Sequence, residues 1–258
     1  MAQRITAAEK DLMLAVKTGK EHLFERALAG GACLEVRDKS DFTPMMLAAI
    51  HQRPAIARLL IQRGAEVNAI TDPFKFTALH LAVETSSPEV TRLLLENGAE
   101  VDALDSKKRP PLFGACEQGL LDQIQLLLRY GAKTNLLDIG GDTALKIALW
   151  GNHFESAKCL LAAGADIDQK LPDEITLLMR CAYEKSWECV QFLLNEGANP
   201  HLKNSNGADA FALAEMHLPN EDRWETYGDD FAKTAFALRA RTASVPSRPE
   251  NNNGGSDL

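Results

Sequence analysis

Several features that mark metal proteins, membrane proteins and secreted proteins are missing from this sequence. It has no Cys-x-x-Cys pair and no His-Glu-x-x-His segment, and its six histidines are scattered, so we predict no metal site. No apolar run approaches the roughly 18 residues that a membrane-spanning helix needs. The segment from Met1 to Lys10 is polar and gives no export signal. The five cysteines, an odd number, suit a reducing compartment, so we expect a cytoplasmic protein.

A phosphate-binding loop and an excess of positive charge are missing as well. Gly140-Gly141-Asp142-Thr143 lacks the lysine that a phosphate-binding loop requires before its hydroxyl, and we interpret it as a tight turn. The formal net charge is -8, so the electrostatics do not favour nucleic acid as a partner, and a basic protein would suit the charge better. We therefore predict no cofactor, no nucleic acid and no membrane among the ligands.

What the sequence has instead is a repeat with a period near 33 residues. Successive opening residues of the unit are separated by 34, 33, 33, 33 and 33 positions and are Thr43, Thr77, Pro110, Thr143, Thr176 and Asp209. A glycine followed by alanine closes the units, at Gly31, Gly64, Gly98, Gly131, Gly164 and Gly197. Because the opening residues and the closing glycines recur with the same period, the sequence indicates an array of stacked units.

Each unit has the signals for two short helices. A threonine such as Thr43 can cap a helix start through its hydroxyl, and a proline such as Pro44 fits the first helical position. Small residues such as Ala48 keep the first helix thin for close stacking, and leucines such as Leu94 give the second helix an apolar face. The closing glycine ends the second helix in left-handed backbone geometry, before a hairpin finger.

This period and these openings resemble the ankyrin repeat, over about residues 8 to 217. The nearest matches to the family's opening are the segments Thr43-Pro44-Met45-Met46-Leu47 and Thr77-Ala78-Leu79-His80. The resemblance implies an all-α fold, an ankyrin-repeat solenoid of paired antiparallel helices with hairpin fingers, six to seven repeats in all when degenerate caps are counted. It also implies that His80 ties neighbouring units through hydrogen bonds.

The repeat pattern divides the chain into five expected segments. Residues 1-7 are a polar N-terminal segment, residues 8-36 a degenerate capping repeat, and residues 37-200 five ankyrin repeats. We interpret residues 201-242 as a partial seventh repeat followed by a helical C-terminal cap, because a proline interrupts the pattern there. Residues 243-258 are rich in proline, asparagine and glycine, and we expect them to be disordered.

Stacks of this family commonly bind proteins through finger tips and the exposed end of the first helix, which leads to two sets of candidate residues. The column before the opening residue, together with a finger that has one extra residue, contains Phe42, Phe74, Phe76, Arg109 and Ile175. The end of the first helix contains three residues that are 33 positions apart and would lie side by side on the concave face: Trp150, Tyr183 and Met216. Exposed aromatic side chains are typical interface anchors.

Each candidate has an alternative role. Phe74 and Phe76 either contact a partner or are covered by the enlarged finger folding back on itself. Trp150 and Tyr183 either bind a partner or pack between repeats. Met216 either binds or contacts the C-terminal cap.

The leading interpretation is a non-catalytic module, not an enzyme, that binds a partner protein of unknown identity and is a monomer when unbound. Within this class, three roles stay open: an adaptor, an inhibitor or immunity-type protein that blocks a toxin or enzyme by occlusion, and an effector acting in a foreign cell. A purely structural, oligomerising role is a separate alternative. The rival from another class is an enzyme with a site in the C-terminal region, on Trp224, Tyr227, Asp229, Asp230 and Lys233.

Overall fold

A computed structural model describes residues 5–215, and the secondary structure in that part of the chain is entirely helical. Two helices lie at the N-terminal end, each following repeat contributes a pair, and a single helix lies at the end of the described residues. The helices are α1 (Ala7–Thr18), α2 (Glu21–Ala29), α3 (Pro44–Ile50), α4 (Pro54–Gln62), α5 (Ala78–Glu84), α6 (Pro88–Glu96), α7 (Pro111–Glu117), α8 (Leu121–Arg129), α9 (Ala144–Trp150), α10 (Phe154–Ala162), α11 (Leu177–Tyr183), α12 (Trp187–Asn195) and α13 (Ala210–Glu215).

The chain divides into two compact units, one ending at Asp166 and the other starting at Ile167. In the first unit, the first helices of the repeats stack in the order α1, α3, α5, α7, α9, and the second helices stack in the order α2, α4, α6, α8, α10. In the second unit, α11 packs against α12 and α13. Each repeat of the first unit therefore contributes one helix to each of two layers.

Helix lengths are constant because the same start signal recurs. From α3 to α12, every first helix has seven residues and every second helix has nine. Four of the first helices begin after a threonine whose hydroxyl accepts a hydrogen bond from the amide three residues later: Thr43, Thr77, Thr143 and Thr176. Asp209 caps α13 in the same way, since its Oδ1 accepts from Ala212 N at 2.9 Å.

The second helices end two residues before the predicted glycines. Gly98 follows α6 with φ 82°, and a Cβ added there would meet no atom within 4 Å. The backbone conformation alone therefore favours glycine at this position, because other residues adopt a left-handed φ at a cost.

The hydrophobic core contains the alanines and leucines that the repeat pattern predicts to be buried. The alanines in the middle of the first helices are fully buried: Ala48, Ala82, Ala115 and Ala148. The leucines of the second helices are fully buried as well: Leu60, Leu94, Leu127 and Leu160. Small side chains let the first helices approach closely, and burial of the leucines adds hydrophobic stabilisation.

A hydrogen bond from each repeat to the next recurs beside this core. In the first unit, Asn68 Oδ1 accepts from Glu100 N at 2.9 Å, and Asn135 Oδ1 accepts from Asp166 N at 2.9 Å. The carboxylates of Glu35 and Asp102 accept the equivalent bonds. In the second unit, Asp168 makes the same bond to Asn199 N. These bonds fix the register between successive repeats.

We expect Thr143→Ala to destabilise the protein by about 1 kcal/mol, because it removes the cap of α9. Thr143 is buried, and its Oγ1 accepts from Lys146 N at 3.1 Å. Urea unfolding followed by circular dichroism measures the change. Thr143→Ser keeps the hydroxyl and should retain most of the stability, whereas equal losses in both variants would show that the cap is unimportant.

Candidate protein-binding site

Each finger is a turn closed by one recurring backbone hydrogen bond. Before α7, Asp105 N donates to Arg109 O at 3.1 Å, and Asp105 Oδ1 accepts from both Lys107 N and Arg109 N. Equivalent backbone bonds close the turns at residues 38–42, 71–76, 138–142, 171–175 and 204–208. Within residues 5–215 the fingers are turns without β-strands, which is a simpler structure than a hairpin.

The finger with the extra residue is organised by Thr71. Thr71 N donates to Phe76 O at 3.0 Å, Phe76 N donates to Thr71 Oγ1 at 2.9 Å, and Lys75 N donates to Thr71 O at 2.8 Å. Phe74 O accepts from Ser106 N of the next finger at 2.9 Å. The backbone is therefore closed on itself, yet the side chain of Phe74 remains 57% exposed.

A row of three rings runs from this finger to the helix behind it. The rings of Phe74 and Phe76 are stacked with centroids 5.9 Å apart, and the ring of Phe76 lies 5.9 Å from that of His80. His80 is buried, with Nδ1 2.9 Å from Thr77 Oγ1 and Nε2 3.1 Å from Arg109 O. His80 therefore links two successive repeats, as the family resemblance implies.

These rings form part of a groove of about 380 Å³, which we call the finger groove. It is lined by Phe74, Phe76, Glu84, Asp105, Arg109, Gly114 and Glu117, among others. The guanidinium of Arg109 is held by two carboxylates, at 3.1 Å from Asp138 and 3.3 Å from Glu117. Burial raises the pKa of Glu84 above its ordinary value, and the nearby carboxylates of Glu117 and Asp105 raise it further.

A second groove, of about 270 Å³, adjoins the first because both contain Arg109 and Glu117. We call it the Trp150 groove, and Lys146 and Trp150 line it. The ammonium of Lys146 lies 5.2 Å from the centroid of the Trp150 ring and pairs with the carboxylate of Asp142. Trp150 is 38% exposed, so a cation covers part of a ring that is still accessible.

The first unit thus brings together four of the eight residues predicted to bind: Phe74, Phe76, Arg109 and Trp150. Phe42 is partly buried and does not line either groove. In the second unit, Ile175 is partly buried and Tyr183 is 43% exposed. Met216 lies outside the described residues, and the side-by-side arrangement of Trp150, Tyr183 and Met216 stays a prediction.

Glycine at position 114 is the feature of the site that the sequence analysis missed. Its equivalents in the other repeats have long side chains: Leu47, Leu81, Ile147 and Arg180. A Cβ added at Gly114 would meet no atom within 4 Å, so this part of α7 borders open space. Aligning the repeats would have shown this glycine, because it is the one small residue among these five equivalent positions.

Several predictions concern residues beyond Glu215. The proposed C-terminal cap, the disordered tail and the alternative enzyme site all lie outside the described residues. Among residues 5–215, no group of three or more histidines, cysteines and carboxylates could hold a metal ion. In the same range, every helix is too short or too polar to cross a membrane.

Comparison with known families agrees with this architecture. The model described as ankyrin repeats in three copies matches residues 12–105 and 99–171, and the single ankyrin repeat model matches residues 173–205. The chain belongs to the ankyrin repeat family. Both the predicted family and the predicted all-α repeat fold are thereby confirmed.

Similarity to individual proteins covers much of this chain but little of the other protein. It is 31% identical over 177 residues to the ankyrin repeat and KH domain-containing protein mask-1 of Caenorhabditis elegans, covering 68% of this chain and 6% of that protein. It is 29% identical over 128 residues to the potassium channel AKT2/3 of Arabidopsis thaliana, covering 49% of this chain and 16% of the channel. The chain therefore spans only a small part of either relative.

A solved structure gives a fuller match. The crystal structure of the ankyrin repeat domain of Bcl-3 superposes with a TM-score of 0.73 and 28% sequence identity. The match covers 79% of this chain and 93% of that domain. The fold is therefore shared over nearly the whole of a known ankyrin repeat domain.

We expect the stability of the protein to fall as the pH drops from about 7.5 to about 5.5, partly through His80. Burial lowers the pKa of His80, against the opposing influence of the Arg109 carbonyl and Asp105. The folded state thus favours the neutral ring, and its stabilising contribution is lost as the pH falls below the unfolded pKa. Unfolding free energies should depend less steeply on pH in His80→Gln than in wild type or in the control His22→Gln, at an exposed site. Equal slopes would contradict this role.

We expect Gly114→Ala to stabilise the protein by about 0.5–1 kcal/mol, because alanine favours a helix interior over glycine. Gly114 lies within α7, and an added methyl group meets no atom within 4 Å. Urea unfolding measures the change. A loss of stability would mean that the space beside α7 is filled in solution.

Proposed function

We propose that this chain is a non-catalytic module that binds a partner protein through the finger groove and the adjoining Trp150 groove. Ankyrin repeats are in general protein–protein interaction modules, and their fold is typically non-catalytic. The observation that carries the proposal is the exposure of large aromatic side chains beside the two grooves, above all Phe74 at 57%.

The exposure of Phe74 is informative because the finger around it is already ordered. Hydrogen bonds to Thr71 and Ser106 hold the backbone on both sides of Phe74, and its ring is exposed in this closed finger. An exposed phenylalanine leaves apolar surface in water, and a partner that covers it gains that hydrophobic free energy. The alternative in which the finger covers its own rings applies to Phe76, which is partly buried, and not to Phe74.

Two further features belong to the same proposal. The net charge of -8 favours a basic partner, whose binding would weaken as salt is added. The five cysteines all lie within residues 5–215 and none of them forms a disulfide, which suits the reducing conditions of a cytoplasm. Occlusion of a toxin or enzyme, and action as an effector in a foreign cell, would use the same surface. The identity of the partner separates these roles.

We expect Phe74→Ala to weaken partner binding by about 30-fold, the equivalent of about 2 kcal/mol for a desolvated aromatic anchor, and Trp150→Ala to weaken it by a smaller factor. Tyr183→Ala tests the second unit in the same way. The partner is first isolated by affinity purification from the native cell, and purified components are then titrated by calorimetry.

Tyr130→Ala is the matched control. Tyr130 follows the second helix α8 and is 39% exposed, close to the exposure of Trp150, but it lines neither groove. Affinity unchanged in Phe74→Ala and Trp150→Ala would reject the proposed surface. A fall in melting temperature in either variant would instead identify that residue as part of the core.

A further inference from the structure

The finger groove exists partly because α7 lacks a side chain where its neighbours have one. Gly114 lines the groove, and the equivalent residues in the stacked helices on either side are Leu81 and Ile147. Glycine in the interior of a helix is less stable than alanine by about 0.5–1 kcal/mol. The helix therefore carries a stability cost at the position where a larger residue would fill the groove.

Carboxylates dominate one part of the groove. Glu84 and Glu117 are the last residues of α5 and α7, where the carbonyl ends of the helices add partial negative charge. The third carboxylate is Asp105. Arg109 pairs with Glu117 at 3.3 Å and with Asp138 at 3.1 Å, and Lys107 also lines the groove, whereas Glu84 makes no ion pair with the described residues. Glu84 has Glu117 and Asp105 as like-charged neighbours, so a cation from elsewhere would be favoured beside it.

An apolar part adjoins these carboxylates. The rings of Phe74 and Phe76, together with Pro110 and Pro111, line the same groove. Its volume of about 380 Å³ is near the lower end of small-molecule sites, which range over about 300–1,000 Å³. A space of that size takes one or two side chains rather than a folded surface.

We propose that the finger groove binds an extended segment of the partner that places an arginine or lysine beside an aliphatic residue. The cationic group would lie against Glu84, its methylene stem over Gly114, and the aliphatic neighbour against Phe74. This inference rests on the proposed function, since it assigns the chemistry that one part of the binding surface recognises.

Selection of peptides tests the proposal without a known partner. The full chain, immobilised, is used to select from a display library of random short peptides. The enriched peptides should contain an arginine or lysine next to Leu, Ile, Val or Met. In the synthetic versions of these peptides, exchange of arginine for citrulline should weaken binding about tenfold, because it removes one charged hydrogen bond. Enrichment of acidic or purely apolar peptides, or no enrichment, would overturn the proposal.

Two variants of the protein test whether the selected peptides bind in the finger groove. Gly114→Leu fills the space and should weaken peptide binding by about tenfold or more, while its melting temperature stays at or above that of wild type. Glu84→Gln removes one charge at constant shape and should weaken binding of the arginine peptide more than that of the citrulline peptide.

The controls introduce the same two residue types, leucine and glutamine, on the second helices. Gln125→Leu in α8 and Glu96→Gln in α6 lie at exposed positions outside the groove and should leave binding unchanged. If Gly114→Leu binds the peptides as wild type does, the inference fails. Loss of peptide binding in Phe74→Ala or Trp150→Ala alone would then still support the broader proposed function.

A second copy of the chain is the other occupant to be tested. Sedimentation of wild type and Gly114→Leu distinguishes it, because a self-associated groove would give a dimer that Gly114→Leu dissociates. That result would overturn the peptide proposal. A wild-type monomer together with Gly114-sensitive peptide binding supports it.

Discussion

Short helices that cannot be stable alone are the constraint behind this structure. Helices of seven and nine residues are well below the length at which an isolated helix forms in water, about 12–15 residues. Packing between stacked repeats supplies the stability that these short helices lack, because the first helices meet along fully buried alanines such as Ala82 and Ala115. The recurring bond from the side chain at positions such as Asn68 to the next repeat's backbone holds the stacked layers in one register.

Stacking also decides which residues are free to vary. The alanines and leucines of the core must remain small or apolar, whereas the fingers and the ends of the first helices face away from it. His80 stands at the boundary between these regions. It is buried beneath the aromatic finger, caps its own helix through Thr77 and holds the Arg109 carbonyl of the next finger. The wall of the groove is therefore attached to the core rather than to a loop alone.

The repeat period, the threonine caps and the closing glycines could all be predicted, because each depends on a local backbone requirement that recurs every 33 or 34 residues. The grooves could be predicted only in part. The exposure of Phe74 follows from its place in an enlarged finger, but the open space beside α7 depends on an absent side chain, that of Gly114. Ion pairing is likewise non-local: Arg109 pairs with Asp138 and Glu117, which are 29 and 8 positions away in the chain.

The two grooves should not contribute equally to binding, because their aromatic rings have different surroundings. The ring of Phe74 stacks on Phe76, and covering the exposed part of Phe74 desolvates only carbon. The ring of Trp150 already has the Lys146 ammonium 5.2 Å from its centroid, and Asp142 holds that ammonium in place. A partner that covers Trp150 must also desolvate or displace a paired cation, which offsets part of the hydrophobic gain. We therefore expect Phe74 to be the stronger anchor although tryptophan has the larger ring, and we expect recognition to be centred on the finger groove.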